Sequence, residues 1–414
     1  MPDRHLADSP PLPDPGGDRT PYVRLALALS LGAAVSLGIT RFAYGLLLPT
    51  MREDLGWSYT LAGAMNTVNA VGYLLGALAT PWLLRRSAPT ALLLWGSALA
   101  TVFMALSGFF TAAGPLLAQR LLAGVASALV FIAGGLLAAR LGARQPQRSG
   151  LLLGIYYGGT GLGIVLSALG VPWVLERAAG VPHAWAWAWW GLALLCALAT
   201  VLLAWPARVL GGHAAPVPAA ASTGSAAPSE RVFRPRDFAF ALAGYTGFGV
   251  GYIGYMTFVI ALLHEQGSTP GAITLYYALL GVAVMASSRI WAGLLDRHRS
   301  GQALARLNAL LGVATVVPAL TSSWPLVLAS GLLFGAVFLS VVASTTALVR
   351  HNLPPAQWAA GISAFTIVFA AGQIVGPTVV GFIADGPGGL ARGLVFSAVA
   401  LWLGAALAWR QRAL

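Results

Sequence analysis

Two stretches of the sequence repeat each other: GITRFAYGLLLPTMREDLGW at residues 38–57 and GVGYIGYMTFVIALLHEQGS at residues 249–268. A shift of 211 residues (252 − 41) aligns them almost without gaps. The matched pairs, in these stretches and beyond, include Gly38 with Gly249, Tyr44 with Tyr255, Asp54 with Glu265, Gly56 with Gly267, Arg86 with Arg297, Gly150 with Gly361, Gly161 with Gly372 and Gly170 with Gly381. A constant offset through several apolar segments predicts two halves that share one fold.

The composition is typical of a polytopic membrane protein. Of 414 residues, 58% are hydrophobic and 9% charged, whereas soluble domains carry roughly 25% charged residues. All 24 basic residues are Arg, and the net charge is +12. No basic soluble domain carries that charge, so we expect no nucleic-acid partner. The single Cys196 lies in an apolar run and has no intrachain partner for a disulfide.

Twelve apolar runs are long enough to cross a bilayer of about 30 Å. The predicted runs are 23–50, 59–84, 89–111, 115–139, 149–175, 185–207, 238–263, 271–294, 302–321, 325–349, 358–384 and 390–409. Together with the repeat, they predict an all-α polytopic membrane protein. Its twelve transmembrane helices would form two pseudo-symmetric six-helix bundles.

The remaining segments set the domain boundaries. Residues 1–21 are rich in Pro, Asp and Gly, which predicts a short disordered cytoplasmic tail and argues against a cleaved signal peptide. Residues 209–237 are rich in Gly, Pro, Ala and Ser and have no helical periodicity, so we expect a flexible cytoplasmic linker. The linker would join an N-terminal half at 22–208 to a C-terminal half at 238–410.

The arginines predict the orientation in the membrane. With the N-terminus inside, 17 of the 24 fall on the cytoplasmic side of the predicted helices, as the positive-inside rule requires. Both termini are therefore expected in the cytoplasm of a bacterial cell, with the chain as a multi-pass protein of the cytoplasmic (inner) membrane. We expect a monomer whose partners are the lipid bilayer and a small molecule.

Polar residues of the first half converge at one depth. Arg41 lies eight residues inside Pro49, taken as the end of the first helix, which is about 12 Å. Asn66 and Asn69 share one helix face and reach a similar depth, and Arg120 lies near the start of the fourth helix. Such residues usually face the bundle interior. Alternatively, Arg41 reaches the membrane surface or nearby acids, and the other three only hold helices together.

In the second half, the repeat places tyrosines where the first half has Arg41 and Asn66. Tyr252 corresponds to Arg41 and Tyr277 to Asn66, which predicts a cavity that is cationic on one side and aromatic on the other. A tyrosine stripe can also be plain packing. The candidate substrate-binding residues are Arg41, Tyr44, Asn66, Asn69, Arg120, Tyr156, Tyr157, Tyr252, Tyr255, Tyr277 and Gln373.

The predicted spans carry no Asp, Glu or His in their middle. A lipophilic cation would need a buried negative charge, whereas two unpaired arginines favour an anion such as a carboxylate. Without an intramembrane acid, coupling would use anion exchange, facilitated diffusion, a proton carried by the substrate, or Glu53 or Asp54 at the outer mouth. We find no phosphate-binding loop, HExxH motif or nucleophile with its base, and predict no enzyme, catalytic residue, metal or cofactor.

Several motifs resemble the major facilitator superfamily. RFAYGLLLPTMREDLGWSYTLAGAMNTVNAVGYLLGAL at 41–78 resembles its YbfB/YjiJ-type branch, and RLLAGVASA from Arg120 is similar to its fourth-helix motif. AGLLDRHR at 292–299 resembles its helix-to-loop signature; the first-half copy, GALATPWLLRR at 76–86, departs from it because Thr80 stands where an Asp is expected. The resemblance implies a transporter that works by alternating access. It also suggests a cytoplasmic gate or latch formed by Arg289, Asp296 and Arg297, whose simpler interpretation is positive-inside anchoring.

The function predicted from these observations is secondary active or facilitative transport of a small organic anion across the cytoplasmic membrane. Export of neutral or amphipathic compounds is the alternative within transport. A membrane sensor that binds without transport is a third interpretation, although neither the tail nor the linker is large enough for a signalling module.

Overall fold

The computed structural model describes residues 22–211 and 232–414, and every regular element in those ranges is helical. In these ranges, twelve helices are long and apolar enough to cross a membrane, which confirms the predicted fold class. We number them α1 to α12 in chain order. Their bounds are Tyr22–Leu55, Tyr59–Leu84, Pro89–Ser107, Ala113–Ala143, Ser149–Arg177, Ala184–Gly211, Ala239–Glu265, Pro270–Ile290, Gln302–Leu320, Trp324–Asn352, Trp358–Ala384 and Gly389–Trp409.

Most predicted helix ends lie within about four residues of the observed ones, the end of α1 at Pro49 was wrong, and two predicted segments lie largely outside the described residues. α1 does not end at Pro49 but continues to Leu55. A buried membrane helix tolerates the loss of the one backbone hydrogen bond that a proline removes. The predicted tail, 1–21, and residues 212–231 of the predicted linker fall outside the described ranges. The first residues of that linker, 209–211, continue α6.

The internal repeat is visible in the local structure of the two matching loops. Gly56 ends α1 with φ 65°, and Gly267 follows α7 with φ 79°, a left-handed conformation that favours glycine. Ser58 and Thr269, which the 211-residue shift also pairs, cap α2 and α8. Each side-chain oxygen accepts a hydrogen bond from the backbone N–H three residues later, at 3.1 and 3.3 Å.

The two halves pack their helices in the same way. α1 lies on α5 and α7 on α11, while α2 packs with α4 and α8 with α10. Paired glycines allow the first of these crossings. A Cβ at Gly38 would lie 2.6 Å from the Cα of Gly163, and one at Gly249 would lie 3.1 Å from the Cα of Gly372. The helices therefore approach closely enough for backbone contact.

The halves meet along two helix pairs, α2 with α11 and α5 with α8. The two pairs are equivalent, because the internal repeat matches α2 with α8 and α5 with α11. Glycine again permits the approach: a Cβ at Gly63 would lie 2.2 Å from the carbonyl oxygen of Pro377, and one at Gly161 would lie 2.4 Å from that of Gly281. Any larger side chain at these positions would separate the halves.

The loop end of the bundle, which carries the α1–α2 and α11–α12 connections, holds the halves together. Among the described residues, every hydrogen bond between the halves lies between the level of Phe42 and this end. The Tyr59 hydroxyl bonds to Glu265, and Glu53 lies 3.7 Å from His264. The halves are therefore joined at the loop end rather than at the opposite, terminal end, where Tyr22 and Leu414 lie.

Asp385 is the most heavily bonded group at the loop end. Its carboxylate accepts hydrogen bonds from the backbone N–H of Tyr59 at 2.7 Å, from the N–H of Thr60 at 2.9 Å and from the Thr60 hydroxyl at 2.6 Å. A residue of one half thus caps the first turn of α2 in the other. Partial burial raises the pKa of Asp385, but the hydrogen bonds from Thr60 and Tyr59 outweigh it, so the pKa lies below its usual value.

We expect Asp385→Asn to loosen the loop end, because an amide keeps the side-chain shape but loses the charge that strengthens all three bonds. The closed arrangement should lose about 1 kcal/mol, the usual effect of removing an N-terminal cap. Spin labels on cysteines introduced at the exposed Thr111 and Ser322, one in each half at this end, would report longer distances. The buried Cys196 should not react with the label.

Asp237→Asn is the matched control, since the exposed Asp237 lies at the terminal end and its side chain makes no hydrogen bond with the described residues. The lowered pKa of Asp385 means that its ionised carboxylate stabilises the closed state. That contribution is lost as the pH falls through this pKa, so the label distances in the variant and the wild type should then become alike. Unchanged distances in Asp385→Asn at neutral pH would contradict this role.

Candidate functional site

Arg41 lies deep in the bundle, in a widened π-helical segment of α1, Ala34–Phe42. It is 14 residues from the end of α1 (55 − 41), or about 21 Å, rather than the 12 Å expected from Pro49. Its side chain is 2% exposed. Nε and Nη2 have no hydrogen-bond partner among the described residues, although the guanidinium lies 5.7 Å from the centre of the Tyr73 ring. Single π turns often mark functional sites.

Arg120, on α4, is equally buried, but its charge is largely solvated by the protein. Nη1 donates to the carbonyl oxygen of Thr40 at 2.7 Å, and Nη2 donates to Oδ1 of Asn66 at 2.8 Å. The rings of Tyr44 and Trp189 lie 5.1 and 5.8 Å from the guanidinium. Although Nε has no partner, the other contacts make Arg120 a cross-link between α1, α2 and α4.

Asn66 and Asn69 belong to the same cross-link. Asn69 donates to the carbonyl oxygen of Arg120 at 3.0 Å. Asn66, which accepts from Arg120, donates in turn to the hydroxyl of Thr257 on α7 at 2.8 Å. The chain Arg120–Asn66–Thr257 therefore connects the two halves, and α1 forms a second connection because the Tyr277 hydroxyl donates to the carbonyl oxygen of Phe42 at 2.9 Å.

The other buried tyrosine hydroxyls on the predicted list already have partners. Tyr44 donates to the carbonyl oxygen of Ala62 at 2.9 Å, and Tyr156 donates to that of Phe131 at 2.7 Å. Tyr255 bonds to the hydroxyl of Tyr276. These side chains hold helices together in this structure, and a substrate contact for them stays a prediction.

Opposite Arg41 lies a polar pair of the second half. Tyr252 donates from its hydroxyl to Oε1 of Gln373 at 2.5 Å, and both side chains are 2% exposed. Arg41 is close enough to the hydroxyls of Tyr73 and Tyr252 to act on both electrostatically. A guanidinium from α1 thus lies near hydroxyl groups from α2 and α7, and substrate binding by Arg41 and Tyr252 stays a prediction.

One face of α11 shows where this site opens. Ile362, Thr366, Phe369 and Gln373 share that face, because they follow the spacing i, i+4, i+7 and i+11. Ile362, at 37%, and Thr366 are exposed, Phe369 is partly exposed, and Gln373 is only 2% exposed. Together with the hydrogen bonds that join the halves at the loop end, this difference indicates that the site is closed towards the loop end and open towards the terminal end. Tyr157, 39% exposed on α5, lies on the open side.

No carboxylate of the described residues lies in the middle of a helix. The acids nearest to Arg41 along α1 are Glu53 and Asp54, at the loop end, where Asp54 bonds to His183 at 2.6 Å and Trp185 at 2.5 Å. Arg41 consequently makes neither of the ion pairs considered from the sequence. The alternative prediction, that the Arg41 side chain reaches the membrane surface, does not agree with its exposure of only 2%.

The three candidate gating residues lie at the terminal end. Arg289 lies in the last turn of α8, and Asp296 and Arg297 belong to a short helix, Ala292–Arg297. All three are exposed, and none makes an ion pair or side-chain hydrogen bond with another described residue. In this structure, with the terminal end open, they do not form a latch, and their gating role stays a prediction.

Three residues near the site were missing from the sequence-based list. Tyr73 could have been found, because it continues the helix face of Asn66 and Asn69. Phe369 and Thr257 gave no such signal, since an apolar ring and a threonine in a membrane helix are ordinary packing residues.

Comparisons with known proteins agree with this architecture. A family model described as "Uncharacterised MFS-type transporter YbfB" matches residues 33–409. No curated protein sequence matches the chain significantly. Among solved structures, a bacterial homologue of the human lysosomal transporter Spinster, inward-facing and unoccupied, has a TM-score of 0.68 at 15% identity, covering 94% of this chain and 97% of that chain.

Two further structures are similar. The nucleoside transporter NupG has a TM-score of 0.68 at 12% identity, and FucP, in an outward conformation, has 0.59 at 16%; each comparison covers 94% of this chain and 98% of the other. Such identities establish a common fold rather than a common substrate. Because the family model spans most of the chain, this multi-pass membrane protein belongs to the YbfB-type family of major facilitator superfamily (MFS) transporters.

Proposed function

We propose that this transporter carries a small, carboxylate-like organic anion by alternating access and binds it through Arg41. The observation that supports the proposal is a buried guanidinium whose Nε and Nη2 have no hydrogen-bond partner among the described residues. Nε and Nη2 form one edge of the planar guanidinium fork, which is the geometry that a carboxylate contacts with both oxygens.

Free energy favours filling this site with an anion. A buried charge without a counter-ion costs several kcal/mol even after the protein relaxes. A carboxylate that enters the site neutralises Arg41 and satisfies both free donors in one step. A lipophilic cation would add a second positive charge beside it, so cationic drugs are unfavourable substrates.

Arg120 has a different role in this proposal. Its bonds to Thr40 and Asn66 leave it one nitrogen without a partner, so it fixes the π-helical segment that carries Arg41. The substrate contacts would then come from Arg41, Tyr252 and Gln373, together with Tyr73 and Tyr157 on the open side. The remaining predicted residues would position these side chains by holding the surrounding helices together; they are Tyr44, Asn66, Asn69, Tyr156, Tyr255 and Tyr277.

The orientation and coupling follow from the same proposal. With both termini in the cytoplasm of a bacterial cell, the open end faces the cytoplasm and the bonded loop end faces outward. The described residues place no acid beside Arg41, which favours anion exchange, facilitated diffusion or a proton carried by the substrate over a proton relay through the membrane. The transporter would work as a monomer, with 22–208 and 238–410 as its rocking halves.

Export of neutral or amphipathic compounds is the second candidate. The neutral Tyr252–Gln373 pair and the aromatic rings around it favour that reading. Binding assays with charged and uncharged ligands separate the two candidates, because only an anion benefits from the Arg41 charge.

Arg41→Ala should weaken anion binding about tenfold to a hundredfold, the effect of losing charge-assisted hydrogen bonds worth about 1.5–3 kcal/mol. The unliganded variant should melt at a higher temperature than the wild type, because it lacks a buried, uncompensated charge. Organic-acid binding is measured by calorimetry on purified protein, and the melting temperature by thermal unfolding. Arg24→Ala, at an exposed position of the same helix, is the control. Wild-type anion affinity in Arg41→Ala would reject the site.

Arg120→Lys should separate positioning from binding. One ammonium group cannot span the two acceptors that the guanidinium joins, so the free energy of unfolding should fall by about 2 kcal/mol. Anion affinity should stay within a few-fold of wild type at a temperature where the variant is folded. An affinity loss as large as that of Arg41→Ala, without a lower melting temperature, would show instead that Arg120 contacts the anion.

A further inference from the structure

An unusually regular group of aromatic rings lies beside Arg41 in the second half. We call it the aromatic wall; it consists of Tyr245, Phe248, Tyr252, Phe338 and Phe369. Its rings stack nearly parallel rather than edge to face. Phe248 and Phe369 lie 5.4 Å apart at 9°, and Tyr252 lies 4.8 Å from Phe248 at 20°.

The wall lies next to Arg41 and the helix that carries it. Tyr252, one of its members, is within electrostatic reach of Arg41. Phe42, the residue after Arg41, packs edge-on against Phe338 at 5.8 Å and 81°. On the opposite side, the ring of Tyr73 lies beneath the guanidinium. A ligand held by Arg41 is therefore placed between aromatic surfaces of both halves.

Three rings near this level are only partly covered by protein. Phe369 and Tyr73 are partly exposed, and Tyr157 is 39% exposed. Phe369 lies on the face of α11 that leads from the open end to Gln373. Packing within the protein explains the fully buried members of the wall. It does not explain the exposed ring surface on the path to Arg41, and a ligand that covered this surface would gain binding free energy.

The charge at the site sets the charge of the ligand. Arg41 has one free edge, whereas Arg120 uses two of its nitrogens within the protein. One negative charge neutralises Arg41. A second one would have no cation to pair with and would face the cost of desolvation.

We propose that the transported anion is a planar aromatic or conjugated monocarboxylate. Its carboxylate would bind the Nε–Nη2 edge of Arg41, and its flat body would lie against Phe369 and Tyr73. This inference rests on the proposed function, because it specifies the anion that the same site takes. Stacking adds to area burial by an amount equivalent to about two- to tenfold in Kd.

The test compares four ligands that differ in one property at a time. Benzoate is planar with one charge, cyclohexanecarboxylate has the same charge on a puckered ring, phthalate adds a second charge, and benzamide removes the charge. We expect calorimetry on the purified full-length protein to give the tightest binding for benzoate. Its Kd should be about two- to tenfold lower than that of cyclohexanecarboxylate and at least tenfold lower than those of phthalate and benzamide.

The outcomes distinguish this inference from the proposed function. Equal or tighter binding of cyclohexanecarboxylate would overturn the aromatic class but keep an anion site. Equal or tighter binding of phthalate would overturn the single charge. Tightest binding of benzamide, or no binding of any of the three acids, would overturn both the aromatic monocarboxylate and the anion proposal.

Two variants locate the ring. Phe369→Leu should raise the Kd of benzoate about two- to tenfold and leave that of cyclohexanecarboxylate unchanged. Phe382→Leu, at an exposed position of the same helix, should change neither. If Phe369→Leu melts too early for calorimetry, Tyr73→Leu provides the same comparison from the other half. Equal losses for both ligands in the variant that folds would contradict stacking.

Discussion

The structure depends on one electrostatic constraint: a positive charge lies near the middle of a membrane protein without a counter-ion among the described residues. Arg41 is 2% exposed and about 21 Å from the end of its helix. In a low-dielectric interior such a charge is costly, so its surroundings must be held rigidly enough to prevent it from turning towards water. The widened π segment, the Arg120 cross-link and the closed loop end all serve that requirement.

The Arg120 cross-link also connects the Arg41 site to the contacts between the two halves. Arg120 fixes the backbone next to Arg41 through Thr40, and the same guanidinium continues through Asn66 to Thr257 in the second half. Tyr277 adds a bond to Phe42. These contacts surround the proposed anion site, so any rocking of the halves that exposes Arg41 to the loop end has to break them. On the proposed function, filling the site and moving the halves act on one continuous set of hydrogen bonds.

The sequence predicted the fold well because its signals are local or repeated. Gly56 with Gly267 and Ser58 with Thr269 have matching roles in the two halves, as the 211-residue shift implies. Helix depth was less predictable, since Pro49 looked like an end but a membrane helix accommodates it. Within the site, the repeat predicted that Arg41 and Tyr252 share one depth, but it could not show which polar groups already had partners. Tyr44, Tyr156 and Tyr255 form hydrogen bonds with groups whose positions depend on tertiary packing, and the π turn has no simple sequence signal.

The most direct test of the central claim is an experimental structure with a bound aromatic acid that carries a heavy atom, such as 4-bromobenzoate, located by anomalous scattering of the bromine. The account predicts carboxylate oxygens roughly 2.7–2.9 Å from both Nε and Nη2 of Arg41, with the ring against Phe369. A bound acid at another level of the bundle, with Nε and Nη2 of Arg41 still unpaired or turned towards the membrane surface, would contradict it.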